Sequence, residues 1–467
     1  MSALAADAPN DLRAWLDRQL IASRDRMAAC VSATHITRAR PEFYQTITPA
    51  RGSVLAAMSV GPDERPDYFF HWLRDSALVM AAFEMLRRMG AMGDIADPFP
   101  DFVAFSAGLA ALDGRALLRE GKIGRAADPN LRQYLRLAAE LEIVHGDRAR
   151  GDVRFNPDGS LDVIYWARPQ FDGPALLAML MTARAIDAVS EPPEQALLVG
   201  DLDYLARVCH EPCFDLWEER FGHHYHTRLV TLAALEGGAT WRAGRGETAA
   251  SLAYQRVARE LRAALDTHWS EADGFYLAAS RGGEATPRDL DAAVILAVAQ
   301  ARIRSGPHSV LDPRAQATLL KLEELFETTF PINRERPIGH GVLHGRFPHD
   351  GYYGGGAFPF TTCAAAAFHY RIAAALRAGS VLARRAENAA FLARCDVGPG
   401  EPEHESARKF IARGDAILAA LRRVTPADGS MAEQIDKTTG APASARDLPM
   451  SHAAFILAYN ARRLAAE

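Results

Sequence analysis

Asp11-Leu-Arg-Ala-Trp-Leu-Asp-Arg-Gln-Leu20 sets the period of the chain. Its apolar residues Leu12, Trp15, Leu16 and Leu20 form one stripe of an amphipathic α-helix. The same spacing predicts helices over 11–32, 75–91, 99–119, 130–142, 172–189, 197–209, 222–236, 246–268, 287–303, 313–328, 358–378, 403–423 and 449–465. Asp447 ahead of Pro449 reads as a helix cap followed by a first-turn proline. Strand signals are short, at Val153–Phe155, Val163–Tyr165 and Phe275–Ala279, enough for hairpins but not for a sheet core. The expected fold class is therefore all-α. Asp396–Glu405, with Gly398, Pro399, Gly400 and Pro402, reads as a long loop rather than a boundary. The 467 residues are expected to form one domain.

Composition narrows the function. Hydrophobic residues make up 49% and charged residues 24%, the balance of a water-soluble globular protein. The net charge of −5, without a long run of one sign, argues against nucleic acid and anionic membranes as partners. The five cysteines are few and odd in number. Cys209 and Cys213 flank His210 without a second pair, a weak zinc signal, and buried thiols are the better reading. The first nine residues lack a basic and an apolar region of a signal peptide, and no apolar run reaches membrane-spanning length. The expected location is cytoplasmic.

Five strings stand out from the helical background. They are Asp67-Tyr-Phe-Phe-His-Trp-Leu-Arg-Asp75, Trp166-Ala-Arg-Pro-Gln-Phe-Asp-Gly-Pro174, Phe214-Asp-Leu-Trp-Glu-Glu219, Gly345-Arg-Phe-Pro-His-Asp-Gly-Tyr-Tyr353 and Gly429-Ser-Met-Ala-Glu-Gln-Ile-Asp-Lys437. The last runs on to Ser444-Ala-Arg-Asp-Leu448. Two glutamates, Glu218 and Glu433, lie in such strings, and a carboxylic acid plus a second carboxylate is what glycosidic cleavage needs. Of six tryptophans, three (Trp72, Trp166, Trp217) fall in these motifs.

In this order, from about Gly52 to Arg463, the strings resemble the glucoamylases, glycoside hydrolase family 15. The resemblance implies an (α/α)6 barrel with the active site in the loops at one end. It also implies a bare catalytic domain over 1–467, without an N-terminal β-sandwich or a starch-binding domain. The implied activity is inverting release of glucose from non-reducing ends of α-glucans, with no cofactor and no metal. Glu218 matches the general acid. Asp215 and Glu219 nearby, with Trp217 as an apolar wall, are expected to favour its protonated form. Glu433 matches the general base, which in an inverting enzyme stands roughly 6.5–9.5 Å from the acid to admit water. Arg74 and Asp75 match a clamp on the terminal glucose, where charge-assisted hydrogen bonds suit vicinal hydroxyls, and Arg346 matches a second arginine there. Glu219 matches a contact to the next sugar, and the carbonyls of Leu216 and Trp217 are implied acceptors. Tyr68, Trp72, Trp166 and Tyr352 match aromatic walls whose planes suit the C–H faces of sugars. Arg168 and Asp172 are expected to position their loop.

The chain also departs from the family pattern. Gly354-Gly-Gly-Ala-Phe358 places Phe358 where the pattern has tryptophan, Met450 replaces another, and Ile435 replaces a tyrosine. The terminal-glucose clamp is kept while the leaving-group side changes, which opens α-1,6-glucosides and trehalose beside α-1,4 chains. A non-catalytic glucan-binding protein and a sugar phosphorylase are the readings of other classes. Both carboxylates being present argues against the first, and Glu433 within its motif against the second. His223 and His226, three apart, could share a helical face as metal ligands, although this hydrolysis needs no metal; a place at the pocket rim is the better reading.

Overall fold

The computed structural model describes residues 9–59, 61, 66–120, 126–187, 192–280 and 286–467. The chain is helical from Pro9–Cys30 to Pro449–Ala466, and among the described residues the strands form two-stranded antiparallel pairs only. It divides into two compact units. Of the described residues, one holds those within 9–26, 82–91 and 263–467, the other those within 27–81 and 92–262.

In the first unit the helix Pro359–Arg377 is central. It opens on Pro359 at its first position and is buried nearly all round through Cys363–Tyr370, Ile372, Ala373 and Leu376, as befits a helix that is apolar on every face. Glu403–Val424 and Pro449–Ala466 pack against it. Glycine permits the first of these approaches: a Cβ at Gly414 would meet the Tyr370 ring at 2.5 Å. The Tyr370 hydroxyl donates to Asp415 at 2.6 Å, so its buried polar end is satisfied. In the second unit the helix Asp172–Asp187 packs against Tyr225–Gly244 and Pro192–Val208.

The expected helices are present, with instructive shifts. The stretch 99–119 is two helices, Phe99–Ala110 and Gly114–Arg119, because the Asp113 side chain accepts from the Arg115 amide (2.9 Å) and starts a new one. The stretch 130–142 breaks between a 3-10 turn at Pro129–Tyr134 and a helix at Ala138–Glu142. Arg136 is drawn out of helical geometry: its amide donates to the Val163 carbonyl and its guanidinium to buried Asp152, both at 2.8 Å. Pro287–Asp289 is a 3-10 turn and the helix begins only at Ala293, whose amide donates to Asp291 at 2.7 Å. The stretch 222–236 becomes Tyr225–Gly244, since Gly222 belongs to a hairpin strand. The helix Ala389–Arg394 lies outside the expected set. Asp447 is not the cap expected of it. The N-cap position is Leu448, and Asp447 instead accepts from His452 and the Met431 amide while pairing with Arg26.

Within Val153–Phe155, Arg154–Phe155 pairs antiparallel with His71–Trp72, a partner distant in sequence rather than a hairpin neighbour, whereas Phe275–Tyr276 forms a hairpin with Trp269–Ser270. Val163–Tyr165 contributes a single bridge, Ile164 to Leu135. All five cysteines are buried, and burial pushes the Cys209 and Cys213 thiols up to about 11 and about 12. Among the described residues no helix is long and apolar enough to cross a membrane. Residues 1–8 and the expected helix end at 188–189 lie outside the described residues.

Candidate active site

Glu218 sits at the tip of the hairpin formed by Cys213–Phe214 and Phe221–Gly222. Its amide closes a tight turn on the Asp215 carbonyl at 2.9 Å, and its own φ is +65°. A side chain in the left-handed region costs about 1–3 kcal/mol, and such residues cluster at functional sites. The turn is held by the Asp215 carboxylate, which accepts from the amides of Glu219 (2.8 Å) and Arg220 (2.9 Å). Asp215 therefore braces the turn, where the sequence suggested a like charge pressing on Glu218.

Four donors converge on the Glu218 carboxylate. Trp72 Nε1 and an Arg74 nitrogen each donate to Oε1 at 2.9 Å, Gln170 Nε2 donates to Oε1 at 3.3 Å, and Trp166 Nε1 donates to Oε2 at 2.5 Å. The Glu218 side chain is 13% exposed, so it is held from behind and open on one side. Arg74 also donates to Gln170 at 2.7 Å and Asp172 at 3.0 Å, and lies 3.9 Å from Asp75. Burial alone would lower the Arg74 pKa, but Asp172, Glu218 and Asp75 outweigh it and raise it. Asp172 thus positions Arg74, and Arg74 touches Glu218.

Arg154 lies behind the tryptophans. Its guanidinium is 3.6 Å from the Trp166 ring centre, 4.9 Å from Trp72 and 4.1 Å from Phe70, distances at which a cation is attracted to the ring faces. It donates to Asp162 at 2.7 Å, and Arg168 bonds to Asp162 at 2.9 Å and to Asp152. Arg168 is indeed a loop-positioning residue. Tyr68 meets Trp72 edge-on at 5.4 Å. Leu216 is buried, Trp217 half-buried and Glu219 exposed on the Glu218 turn.

The remaining candidates belong to the first unit. Glu433 precedes the strand Gln434–Ile435, which pairs with Pro442–Ala443. Its amide donates to Ala445 at 2.8 Å and its Oε2 accepts from the Ser444 hydroxyl. Gln434 straps this strand to the loop beside it, donating to the Tyr352 carbonyl (3.0 Å) and accepting from the Gly356 amide (3.1 Å). Ile435 and Ala357 exchange backbone bonds of 2.7 and 2.9 Å. Arg346 is buried and forks onto Asp350 with two bonds of 2.6 Å, its guanidinium 5.1 Å from the Tyr352 ring. Phe358 is buried edge-on against Phe360 at 5.3 Å, a core residue and not a sugar platform.

The histidines do not share a helical face, since the helix begins at Tyr225 and only His226 lies on it. His224 Nε2 bonds the Cys213 carbonyl at 3.1 Å, and His223 and His224 line a small cavity with Cys209 and Cys213. Among the described residues no group of three or more His, Cys, Asp or Glu is placed to hold a metal ion.

Several contributors escaped the sequence reading. Gln170 and Ser444 lay inside quoted strings, but nothing in the spacing marked them as partners of Glu218 and Glu433. Arg154 lay in a predicted strand, where an arginine carries no signal until the rings it stacks on are known.

The family model described as glycosyl hydrolases family 15 matches residues 151–460. Glucoamylase 1 of Rhizopus oryzae is 25% identical over 439 residues, covering 88% of this chain and 67% of the relative. Glucoamylase P of Amorphotheca resinae is 27% identical over 480 residues, covering 98% of this chain and 72% of that one. The solved glucoamylase from Saccharomycopsis fibuligera superposes with a TM-score of 0.78 at 21% identity, over 99% of this chain and 98% of that chain. The Hypocrea jecorina glucoamylase gives 0.77 at 22% identity, over 97% and 72%. These likenesses show the fold class, the all-α (α/α)6 class of the sequence expectation.

Proposed function

Because the chain belongs to glycosyl hydrolase family 15, and is thus a glycoside hydrolase, we propose that Glu218 is its general acid and Glu433 its general base. The reaction is inverting, exo-acting hydrolysis that releases β-D-glucose from the non-reducing ends of α-glucosides. The observation that carries this reading is the convergence of Trp72, Arg74, Trp166 and Gln170 on the Glu218 carboxylate.

Glu218 gives its proton to the glycosidic oxygen as the bond from that oxygen to C1 breaks, and becomes a carboxylate. The four N–H donors are already aimed at the oxygens where that negative charge develops, so no reorganisation is needed at the moment of reaction. Glu433 takes a proton from the water that attacks C1 on the opposite face, which inverts the anomeric centre. The Ser444 hydroxyl fixes the rotation of the Glu433 carboxylate. Arg74 and Asp75, with Arg346, bind the terminal glucose, whose apolar face meets Tyr68, Trp72, Trp166 and Tyr352. Glu219 and the carbonyls of Leu216 and Trp217 meet the following sugar.

The linkage follows from the leaving-group side. Phe358 packs into the core where the family pattern carries tryptophan, so α-1,6-glucosides and trehalose stand beside maltose as substrates to compare. The test is glucose release from maltose, isomaltose, trehalose and starch, with NMR of the first-formed anomer. β-Glucose is expected, and Glu218→Gln or Glu433→Gln should lower kcat by orders of magnitude with the fold kept. α-Glucose as first product, or near-normal turnover by either variant, would refute the assignment.

A further inference from the structure

Two tyrosines on the outside of the second unit have no part in the chemistry above. The antiparallel bridge pairing Leu135 with Ile164 brings the backbones of Tyr134 and Tyr165 side by side. The Tyr165 amide donates to the Tyr134 carbonyl at 2.7 Å. Leu135 is buried, and Ile164 packs on the cluster of Phe70, Trp72 and Val153. The two phenols are left facing water, 54% and 51% exposed.

The backbone beneath them is fixed. The Ile164 amide donates to Asp162 at 2.8 Å, its carbonyl accepts from Arg168 at 3.2 Å, and the Arg136 side chain bonds Asp152 at 2.8 Å. Two aromatic rings on a rigid support offer flat apolar area with a hydroxyl at each edge, at low cost in side-chain entropy. That matches a pyranose, which has a C–H face and a hydroxyl rim. Tyr165 is also followed by Trp166, whose indole donates to Glu218.

We propose that Tyr134 and Tyr165 form an outer platform for an α-glucan chain, binding sugar units beyond those that Glu218 and its neighbours engage. The platform rests on the hydrolase reading for its ligand, but not for its geometry. It adds affinity for long chains and contributes nothing to a disaccharide.

The test uses the whole 467-residue chain with Tyr134→Ala and Tyr165→Ala combined. Retardation in native gels containing soluble starch is measured in the Glu218→Gln background, so the gel is not digested, and KM is measured on maltose and on soluble starch. The double variant should bind starch about 10-fold more weakly, as expected for two lost ring contacts, and KM for starch should rise by a similar factor. Maltose kinetics should not change. Unchanged retardation with normal maltose turnover would overturn the platform and leave the hydrolase assignment standing. Wild-type protein retarded by starch yet inert on every α-glucoside would overturn the assignment instead. If the double variant fails to turn over maltose, the two single variants are read in the same way. Loss of self-association in sedimentation with starch retardation unchanged would show the tyrosines to be a contact between copies of the chain, and would overturn the proposal.

Discussion

Trp166→Phe isolates one donor of the acid. Phenylalanine keeps an aromatic plane for the Arg154 guanidinium, now 3.6 Å from the ring centre, and for the edge contact with Trp72 at 5.9 Å. It removes the Nε1–H that donates to Glu218 Oε2, together with one ring of the indole. A hydrogen bond to a charged group is worth about 1.5–3 kcal/mol. The donor is worth more to the carboxylate that forms as Glu218 gives up its proton than to the acid before transfer. If most of the difference is realised in the transition state, kcat falls about 10- to 100-fold, at 1.36 kcal/mol per decade. The assay compares maltose with an aryl α-glucoside whose phenol leaves without a proton. The loss on maltose should largely vanish on the aryl substrate, because that reaction does not call on Glu218. An equal loss on both would mean that Trp166 acts by stacking on sugar, and no loss on maltose would mean that its bond to Glu218 carries no catalytic weight.

Gly356→Ala would bring a Cβ to 2.2 Å from the Ile435 carbonyl oxygen. That is a backbone clash, so the strand bearing Glu433 must move; a displacement near 1 Å costs about 100-fold in rate, and wild-type kcat in this variant would disprove the coupling. Ser444→Ala removes the hydroxyl that donates to Glu433 and should lower kcat about 10-fold with little change in KM; a pure KM effect would refute the positioning role. Burial pushes the His71 pKa down to about 3, against an unfolded value near 6.5. Below pH 6.5 the unfolded chain takes up a proton that the fold refuses, so stability falls by about 1.4 kcal/mol per pH unit until about pH 3, and nothing is lost above 6.5. His71→Asn keeps an acceptor for the Val54 amide (2.9 Å in the native protein), and its melting temperature should drop less than that of wild type between pH 7 and 5; equal drops would exclude His71 as the acid-sensitive group.

The all-α class was legible because periodicity is a local signal, and Leu12, Trp15 and Leu16 carry it without reference to the rest of the chain. Helix interruptions were not, because they are decided at long range. Arg136 leaves helical geometry for Val163 and Asp152, residues 27 and 16 positions away that no window around Arg136 contains. Asp447 looks like a cap in sequence, yet His452, Met431 and Arg26 compete for its oxygens and win. At the site, the quoted strings supplied Glu218, Trp72, Arg74 and Trp166, and the structure brings these four together. The strings could not supply the direction of each bond, such as that Asp215 turns to backbone amides and Gln170 to Glu218.

That direction is set by a buried alternation of charge in the second unit. Arg136 bonds Asp152, Asp152 bonds Arg168, Arg168 bonds Asp162, and Asp162 bonds Arg154. Burial alone would raise the Asp162 pKa, but the guanidiniums of Arg154 and Arg168 outweigh it and hold its carboxyl below the usual range. Such a chain gains little net stability over apolar packing, while removing one member strands a buried charge at about 3–5 kcal/mol. Its value lies in placement. Arg154, fixed by Asp162, stacks on both indoles that hold Glu218, and Arg168, fixed by Asp152 and Asp162, anchors the Ile164 carbonyl beneath Tyr165. The acid and the outer tyrosines are thus referenced to the same charged scaffold, so a substitution such as Asp162→Asn should disturb maltose turnover and starch affinity together, where Tyr134→Ala disturbs only the second.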